Sequence, residues 1–419
     1  MKILYLSDDF PPLAKGGASI IAYRIAKDLL KKGHQIFIIT SVQKKSQAGE
    51  MHFEGMTLFR IYANYHERWR AYLSLYNFQT VNKVEEIIKK IKPDVVHAFN
   101  VHYHLSYHCF KIAKQYCKVV FLTACDTMLF TYGKFFSYVN PDNLLIPAHF
   151  DYHISLWDTI KQAKKRYNPL RNIIIRWYLK YVDKIFSPSK AIKEALEANH
   201  IKNIDVIYSG IDLDEWRIRE SDISSFKEKY NVLDKKIVFF GGRLSGLKGG
   251  KNIILVMEKV ISEIPQAVLL IAGHKDDNAQ KMLILAKELK IENNIIFTGW
   301  LLGNELKAAY HSCDLAVFPS LYLDGFGLIN LEAMAAKKPM VSTCFGGASE
   351  IVVDNETGYV VNPFNIKIMA QKISDLLKNP EKAKQFSQIG YERVKKYFSI
   401  LEQIKKTFKY YCNFLEKKD

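Results

Sequence analysis

Two parallel-sheet α/β domains are what this sequence predicts, and three of its features predict them. Short apolar runs alternate with amphipathic helical stretches, the signature of a sheet covered by helices on both faces. The alternation runs through once, is interrupted near Ser209 where a strand ends in Ser-Gly ahead of acidic residues, and restarts at residue 237. Several runs end directly in glycine turns that open helices, the local form of ligand loops in open α/β sheets. With 419 residues, 48% of them hydrophobic and 25% charged, the chain is long enough for two separate cores. The expected division is a first domain over 1–208, a second over 209–390, and a C-terminal helix over 391–419 that packs back on the first domain.

The first round opens with a strand at 3–7, followed by a helix over about 17–32, a strand at 36–40, a strand or hairpin at 56–62 and a helix over about 77–90. Strands at 95–98, 119–123 and 185–188 complete it. The second round places strands at 237–240, 268–272, 295–298, 315–319 and 340–343, each pair separated by a helical pattern. The remainder, from Tyr391 to Lys418, reads as one long, basic, aromatic-rich helix whose docking buries Phe398, Leu401, Ile404, Phe408, Tyr411 and Phe414.

The stretch from Leu321 to Val361 carries the most chemical information. A buried strand runs into a Gly325-Phe326-Gly327 turn, and a helix opens from that turn over 328–337. Free N–H groups and the positive end of the helix dipole favour an anion there. Asp324 and Glu332 bracket the turn, and the acidic side chain one turn into the helix can accept from neutral sugar hydroxyls. A second constellation follows the strand at 237–240, which delivers Gly241, Gly242 and Arg243 to its end, with Lys248 shortly after. A planar guanidinium and a point-charge ammonium can converge there on a diphosphate. The spacing is not a P-loop, because no Gly-Lys-Ser/Thr follows the first glycines. A third, weaker signal is Gly16-Gly17, where a strand-turn-helix lets a ligand approach the backbone; a plain turn explains it equally well.

The net charge of +17 favours anionic partners of some kind: lipid, nucleic acid or phosphorylated substrate. Between Lys161 and Lys184 basic residues are threaded with Ile173, Ile174, Ile175, Trp177 and Tyr178. Such a segment either lies in an anionic membrane interface or packs its apolar side on the first core. No run is long enough to span a bilayer. The N-terminal apolar run is too short for a signal peptide, so a cytoplasmic protein is expected, with peripheral contact at the inner face of the membrane as the reading the basic segment allows. The six cysteines show no metal-ligand spacing and read as free thiols. His97, His102, His104 and His108 invite a metal reading, but no acidic or cysteine ligand accompanies them at the spacing a metal needs.

Taken in order, Gly-Arg-Leu…Lys-Gly at 242–249, the acidic-x7-Glu pair around Gly-Phe-Gly, PPLAKGG at 11–17, DVVHAFN at 94–100, KIFSPSKAIKEAL and VIYSGID resemble glycosyltransferase family 4. These are the retaining nucleotide-sugar transferases of GT-B fold, two Rossmann-like domains facing a central cleft. The likeness covers nearly the whole chain. It implies that Glu332 binds the nucleotide ribose, Asp324 the donor sugar, and the backbone of Phe326, Gly327 and Leu328 the sugar and phosphate. Arg243 and Lys248 hold the diphosphate in that picture, with Gly242 at the strand end and Gly16 or Gly17 approaching from across the cleft. Gly299, Trp300 and Leu301 meet the base.

The family also implies no cofactor and no metal, since Arg and Lys replace the cation. Its partners are a nucleotide-diphosphate sugar as donor and a saccharide or lipid-linked saccharide as acceptor, not a nucleic acid. The resemblance suggests front-face attack with retention, the acceptor hydroxyl passing its proton to the leaving phosphate. Asp126 and His97 are acceptor-side candidates, with core or turn roles as the alternative for each. Two positions depart from the pattern. Asp324 stands where the family usually has Glu, and Cys125 stands where many members carry His before Asp126. A GT-B epimerase or hydrolase, or a binding protein without turnover, are the competing functions.

Overall fold

The structure, a computed structural model, describes residues 1–13, 16–242, 244 and 246–418. It divides into two units: Met1–Phe135, Tyr152–Ser209 and the chain from Ile400 onward form the first, and Phe136–Asp151 with Gly210–Ser399 the second. In the first, β1 (Lys2–Leu6), β2 (Gln35–Val42), β3 (Gly49–Phe53), β4 (Met56–Tyr62), β5 (Val95–Ala98), β6 (Val119–Thr123), β7 (Lys184–Ser187) and β8 (Ile204–Val206) make one sheet. Its order is β3-β4-β2-β1-β5-β6-β7-β8. All neighbours are parallel except β3 and β4, a hairpin whose turn residues Glu54 and Gly55 both take positive φ, 48° and 82°. That backbone twist matches the twist of the flanking strands.

The second unit holds β9 (Lys236–Gly241), β10 (Ala267–Ala272), β11 (Ile295–Gly299), β12 (Leu315–Phe318), β13 (Met340–Thr343) and β14 (Gly358–Val361), in the order β11-β10-β9-β12-β13-β14 and parallel throughout. Its strands β10, β12 and β13 are buried along their length, which is why they read as continuous apolar runs rather than alternating ones. Met257 and Val260 of the helix Gly250–Glu263 and Met369 and Ile373 of the helix Ile366–Lys378 pack on one side of this sheet in a single core.

Three departures from the expected layout have physical causes. The long C-terminal helix is two helices, Pro380–Tyr397 and Ile400–Glu416, and only the second belongs to the first unit. The break falls at Phe398, whose carbonyl accepts from Ile211 N–H at 2.9 Å and whose ring meets Phe326 edge-on at 5.7 Å. Leu401, expected to be buried, is 63% exposed, whereas Ile404 and Tyr411 are enclosed. Residues 136–151, expected in the first domain, join the second unit: Tyr138 and Phe150 pack on Phe345, and the Asn362 amide donates to the Asn143 and Leu145 carbonyls at 2.7 and 2.8 Å. The strands β3 and β14 lie outside the expected layout, the first being an exposed edge; β8, three residues long, ends at Val206, short of the strand end expected near Ser209.

Candidate active site

In the second unit the strand order reverses between β9 and β12, and open α/β sheets bind ligands beyond the carboxyl ends of such a pair. Both ends carry glycine turns. After β9 the chain passes Gly242, at φ 122°, and a 3-10 turn over Gly246–Lys248 before the helix Gly250–Glu263. Arg243 lies outside the described residues. Gly249, at φ 80°, brings this loop against β12's end so closely that a Cβ would overlap the Pro319 carbonyl, and Leu321 N–H donates to the Leu247 carbonyl at 2.9 Å. The two loops are thereby tied, and the start of one helix and the side chain of Lys248 are brought to the second loop.

Lys248 and Asp324 meet there. The Lys248 Nζ lies 2.6 Å from Asp324 Oδ2, and the Tyr322 hydroxyl donates to the same oxygen at 2.7 Å. The ammonium also sits over the rings of Phe318 and Tyr322, at 5.3 and 5.1 Å from their centroids. Both side chains are partly shielded, at 25% and 16% exposure, so the pair is screened less than a surface ion pair. Asp324's backbone is set from the other side by Gly346, at φ 74°, and by Gly347 N–H, which donates to the Asp324 carbonyl at 3.2 Å.

Gly327, at φ 80°, is the cap from which the helix Leu328–Ala335 opens. Asn330 donates to the Gly327 carbonyl at 3.0 Å and accepts from the Ser342 hydroxyl at 2.8 Å, which fixes the turn to β13. Phe326 is buried and Leu328 half-buried, so their contribution to the loop's outer surface is backbone. One turn in, Glu332 Oε2 accepts from the Tyr310 hydroxyl at 2.8 Å. Burial and the Glu332 charge hold that phenol well above its ordinary pKa, so it stays a donor. Beyond β11, Gly299 takes φ 81°, Leu301 is buried, and Trp300 stacks on His274 at 4.9 Å and 8°. The Trp300 indole N–H is buried and has no partner among the described residues.

In the first unit the order reverses between β1 and β5. Asp8, just past β1, accepts from the N–H groups of Tyr103, His104 and Leu105 at 2.6, 2.7 and 2.8 Å, yet burial pushes its carboxyl up to about 7. A cavity of about 410 Å³ opens beside it, lined in part by Asp9, Thr40, Gln43 and Arg60. Thr40 Oγ1 and Arg60 Nε are buried there without a partner among the described residues. Gly16 caps the helix Gly17–Lys31 at φ −82°, so the turn does not use a glycine's left-handed freedom; Gly16 and Gly17 are both exposed. Asp126 is half-exposed, its Oδ1 accepting from Met128 N–H at 2.9 Å and its Oδ2 3.6 Å from His102 Nε2. Burial drives His102 down to about 4, so the ring is neutral beside the carboxylate.

His97 is not at any site. It is buried on β5, with Nδ1 2.6 Å from the Tyr411 hydroxyl and Nε2 2.8 Å from Thr123 Oγ1, and it stacks on Phe99. The acceptor-side assignment is therefore corrected to a core role that fastens the C-terminal helix. His97→Ala is expected to lower stability by about 2–4 kcal/mol in urea denaturation. Burial lowers the folded ring's pKa to about 3 from 6.5, so this residue's contribution is complete above 6.5 and declines as pH falls toward 3. A transfer defect at unchanged stability would return His97 to the acceptor side. His102, His104 and His108 turn to separate partners, Asp126, the Tyr65 ring and the Tyr178 hydroxyl.

Several contributors escaped the sequence reading: Tyr322 and Tyr310, which orient the two carboxylates, and Gly249 and Gly346, which allow the close approaches. Tyr322, two residues before Asp324 in the same loop, was the one with a local signal.

Two family models match the chain: Glycosyltransferase Family 4 over residues 15–215, and Glycosyl transferases group 1 over 222–393. An uncharacterized glycosyltransferase of Methanocaldococcus jannaschii is 26% identical over 390 residues, covering 90% of this chain and 89% of its own. The N-acetyl-alpha-D-glucosaminyl L-malate synthase of Bacillus anthracis is 24% identical over 401 residues, 91% and 90% of the two chains. Among solved structures, Anabaena HepE in complex with UDP superposes with a TM-score of 0.72 at 17% identity, across 99% of this chain and 100% of that one. With both halves matched in order and the fold shared end to end, the chain belongs to glycosyltransferase family 4 and is a glycosyltransferase of GT-B fold.

Proposed function

We propose that this glycosyltransferase is a retaining, metal-independent hexosyltransferase that moves a sugar from a nucleotide-diphosphate sugar to a hydroxyl of a saccharide or lipid-linked saccharide. The observation that carries the donor reading is the Lys248–Asp324 pair set between two helix starts at the strand-order reversal. A leaving diphosphate needs its developing charge met by fixed donors. Lys248 and the free N–H groups opening the helix Gly250–Glu263 meet it, together with Arg243. Asp324 holds the ammonium in place before the donor arrives and offers its carboxylate to the sugar hydroxyls. Glu332, fixed by Tyr310, takes the ribose; the backbone of Phe326, Gly327 and Leu328 lines the sugar and phosphate; and the His274–Trp300 stack with Gly299 and Leu301 offers a flat face and an indole N–H to a base. Anabaena HepE has also been solved with UDP-glucose, which supports a uridine donor as the first to try.

The cavity beside Asp8 suits an acceptor saccharide, with Asp9, Gln43 and Arg60 as hydroxyl partners and Asp126 nearby in the chain order of strand ends. On the same unit, the helix Arg171–Tyr178 turns Arg171, Ile175 and Tyr178 inward and leaves Ile173 and Trp177 outward, with Leu156 and Trp157 exposed among Lys161, Lys164 and Lys165. An outward apolar stripe ringed by cations fits peripheral contact with an anionic membrane.

The test is turnover of radiolabelled UDP-, GDP- and ADP-sugars with and without saccharide acceptors. Nucleoside diphosphate release that requires acceptor, with the product anomer matching the donor, is the expected result. Donor epimerised or hydrolysed at full rate without acceptor, or bound and never turned over, would overturn the reading.

A further inference from the structure

Outside the cavity just described, the first unit has a second recess that the donor and acceptor assignments leave unused. Arg70, Arg166 and Arg171 line it with Ser74, Met128 and Tyr132. Arg171 is only 4% exposed, an unusual position for a guanidinium that lacks a carboxylate. Its donors go to the Met128 carbonyl at 2.6 Å and the Asn172 amide oxygen at 2.8 Å, and its plane lies over the Tyr132 ring. Arg70 is stacked on Tyr103, 3.6 Å from the ring centroid, and reaches only the Met128 sulfur. Among the described residues, Arg166 has a carboxylate partner, Glu67 at 2.9 Å, while Arg70 and Arg171 have none. Also lining the recess, the Ser74 hydroxyl is buried with no partner among the described residues.

A buried guanidinium with no close ion pair, felt by Asp126 only at longer range, and a buried hydroxyl without a partner among the described residues are each costly unless a ligand completes them. The recess has about 10 Å³ of room, enough for one water-sized atom. An anion that fits puts one oxygen inside, near Ser74 and the buried Arg171 charge, and keeps its others toward Arg70 and Arg166. A tetrahedral phosphate has that shape, and arginine forks are matched to its oxygens. Met128 ties the recess to the acceptor side, since its carbonyl receives Arg171 while its N–H donates to Asp126.

We propose that Arg70, Arg166, Arg171 and Ser74 form a phosphate-binding recess that receives a phosphate ester carried by the acceptor. Assigning the ester to the acceptor rests on the transfer reading; the recess as a phosphate site does not. The test titrates the full-length protein with inorganic phosphate by calorimetry, comparing wild type with Arg70→Gln, Arg166→Gln and Lys248→Ala. Arg166 is half-exposed and its carboxylate partner Glu67 is exposed, so its variant is expected to keep the fold, which an unchanged melting temperature verifies. Each recess variant is expected to weaken phosphate about tenfold, the loss of one charge-assisted contact. Lys248→Ala is expected to lose only phosphate held at the donor side and to keep the part that depends on Arg70 and Arg166. Glucose 6-phosphate and phosphatidylcholine vesicles doped with phosphatidic acid then separate the sources. Arg166-dependent binding of the sugar phosphate identifies a soluble ester, and Arg166-dependent sedimentation with vesicles alone identifies a lipid headgroup; both uphold the recess. Binding of all three probes at equal strength in wild type, Arg70→Gln and Arg166→Gln would overturn it, while leaving the acceptor-dependent transfer assay to be judged by its own result.

Discussion

Lys248→Ala is expected to lower kcat/KM for glycosyl transfer by about 10²–10³-fold, the range for removing one fixed donor from developing negative charge. The loss should fall mainly on kcat, because the ammonium meets the diphosphate most strongly as the sugar leaves. The structure adds a second consequence. Lys248 is the cation held against Asp324 at 2.6 Å, so the variant also leaves a half-buried carboxylate with one partner fewer. Lys248→Arg keeps the charge but not the compact ammonium that sits over Phe318 and Tyr322, and should recover only part of the activity. Steady-state kinetics on both variants, with unfolding curves to confirm the fold, check this. Activity of Lys248→Ala within about threefold of wild type would remove the lysine from the diphosphate site.

Gly346→Ala should be the most disruptive change to the donor loop that touches no proposed ligand contact. Gly346 takes φ 74°, and a Cβ there would stand 2.7 Å from Asp324 N and closer still to the Asp324 carbonyl oxygen. Neither backbone atom can swing aside as a side chain can, so the loop carrying Asp324 must shift. A stability loss of about 2–4 kcal/mol in urea unfolding is expected, with weakened donor binding. Gly242 supplies the comparison. Its φ of 122° is as unfavourable to alanine, but nothing lies within 4 Å of the added carbon. Gly242→Ala should therefore show the backbone strain alone, about 1–2 kcal/mol. Equal losses for the two would mean that the close approach to Asp324 carries no energetic weight.

Much of the fold was legible because a parallel sheet covered on both faces writes its strands as continuous apolar runs, as in Ala267–Ala272 and Leu315–Phe318. The same property hid His97. Every residue of β5 is buried, so alternation along the strand gave no outward face from which to tell a core histidine from one at a ligand. The turn at Phe398–Ser399 carries no glycine or proline, and the helix breaks there because Phe398 is held by Ile211 and Phe326, contacts distant in sequence. The glycines near 249 and 327 do lie where helices open, since a helix opening from a glycine turn is a local feature.

Residue order and spacing by themselves determined the two rounds of strand and helix, the glycine turns at the strand ends, and the resemblance that names the family, because each depends on neighbours a few residues apart or on motifs in sequence. Tertiary structure alone decided that Lys248 reaches Asp324 across 76 residues, that Tyr310 fixes Glu332 from another helix, and that three arginines share one recess. Those pairings depend on which strands lie side by side and on where a missing Cβ lets two loops touch, and no local pattern in the chain encodes either.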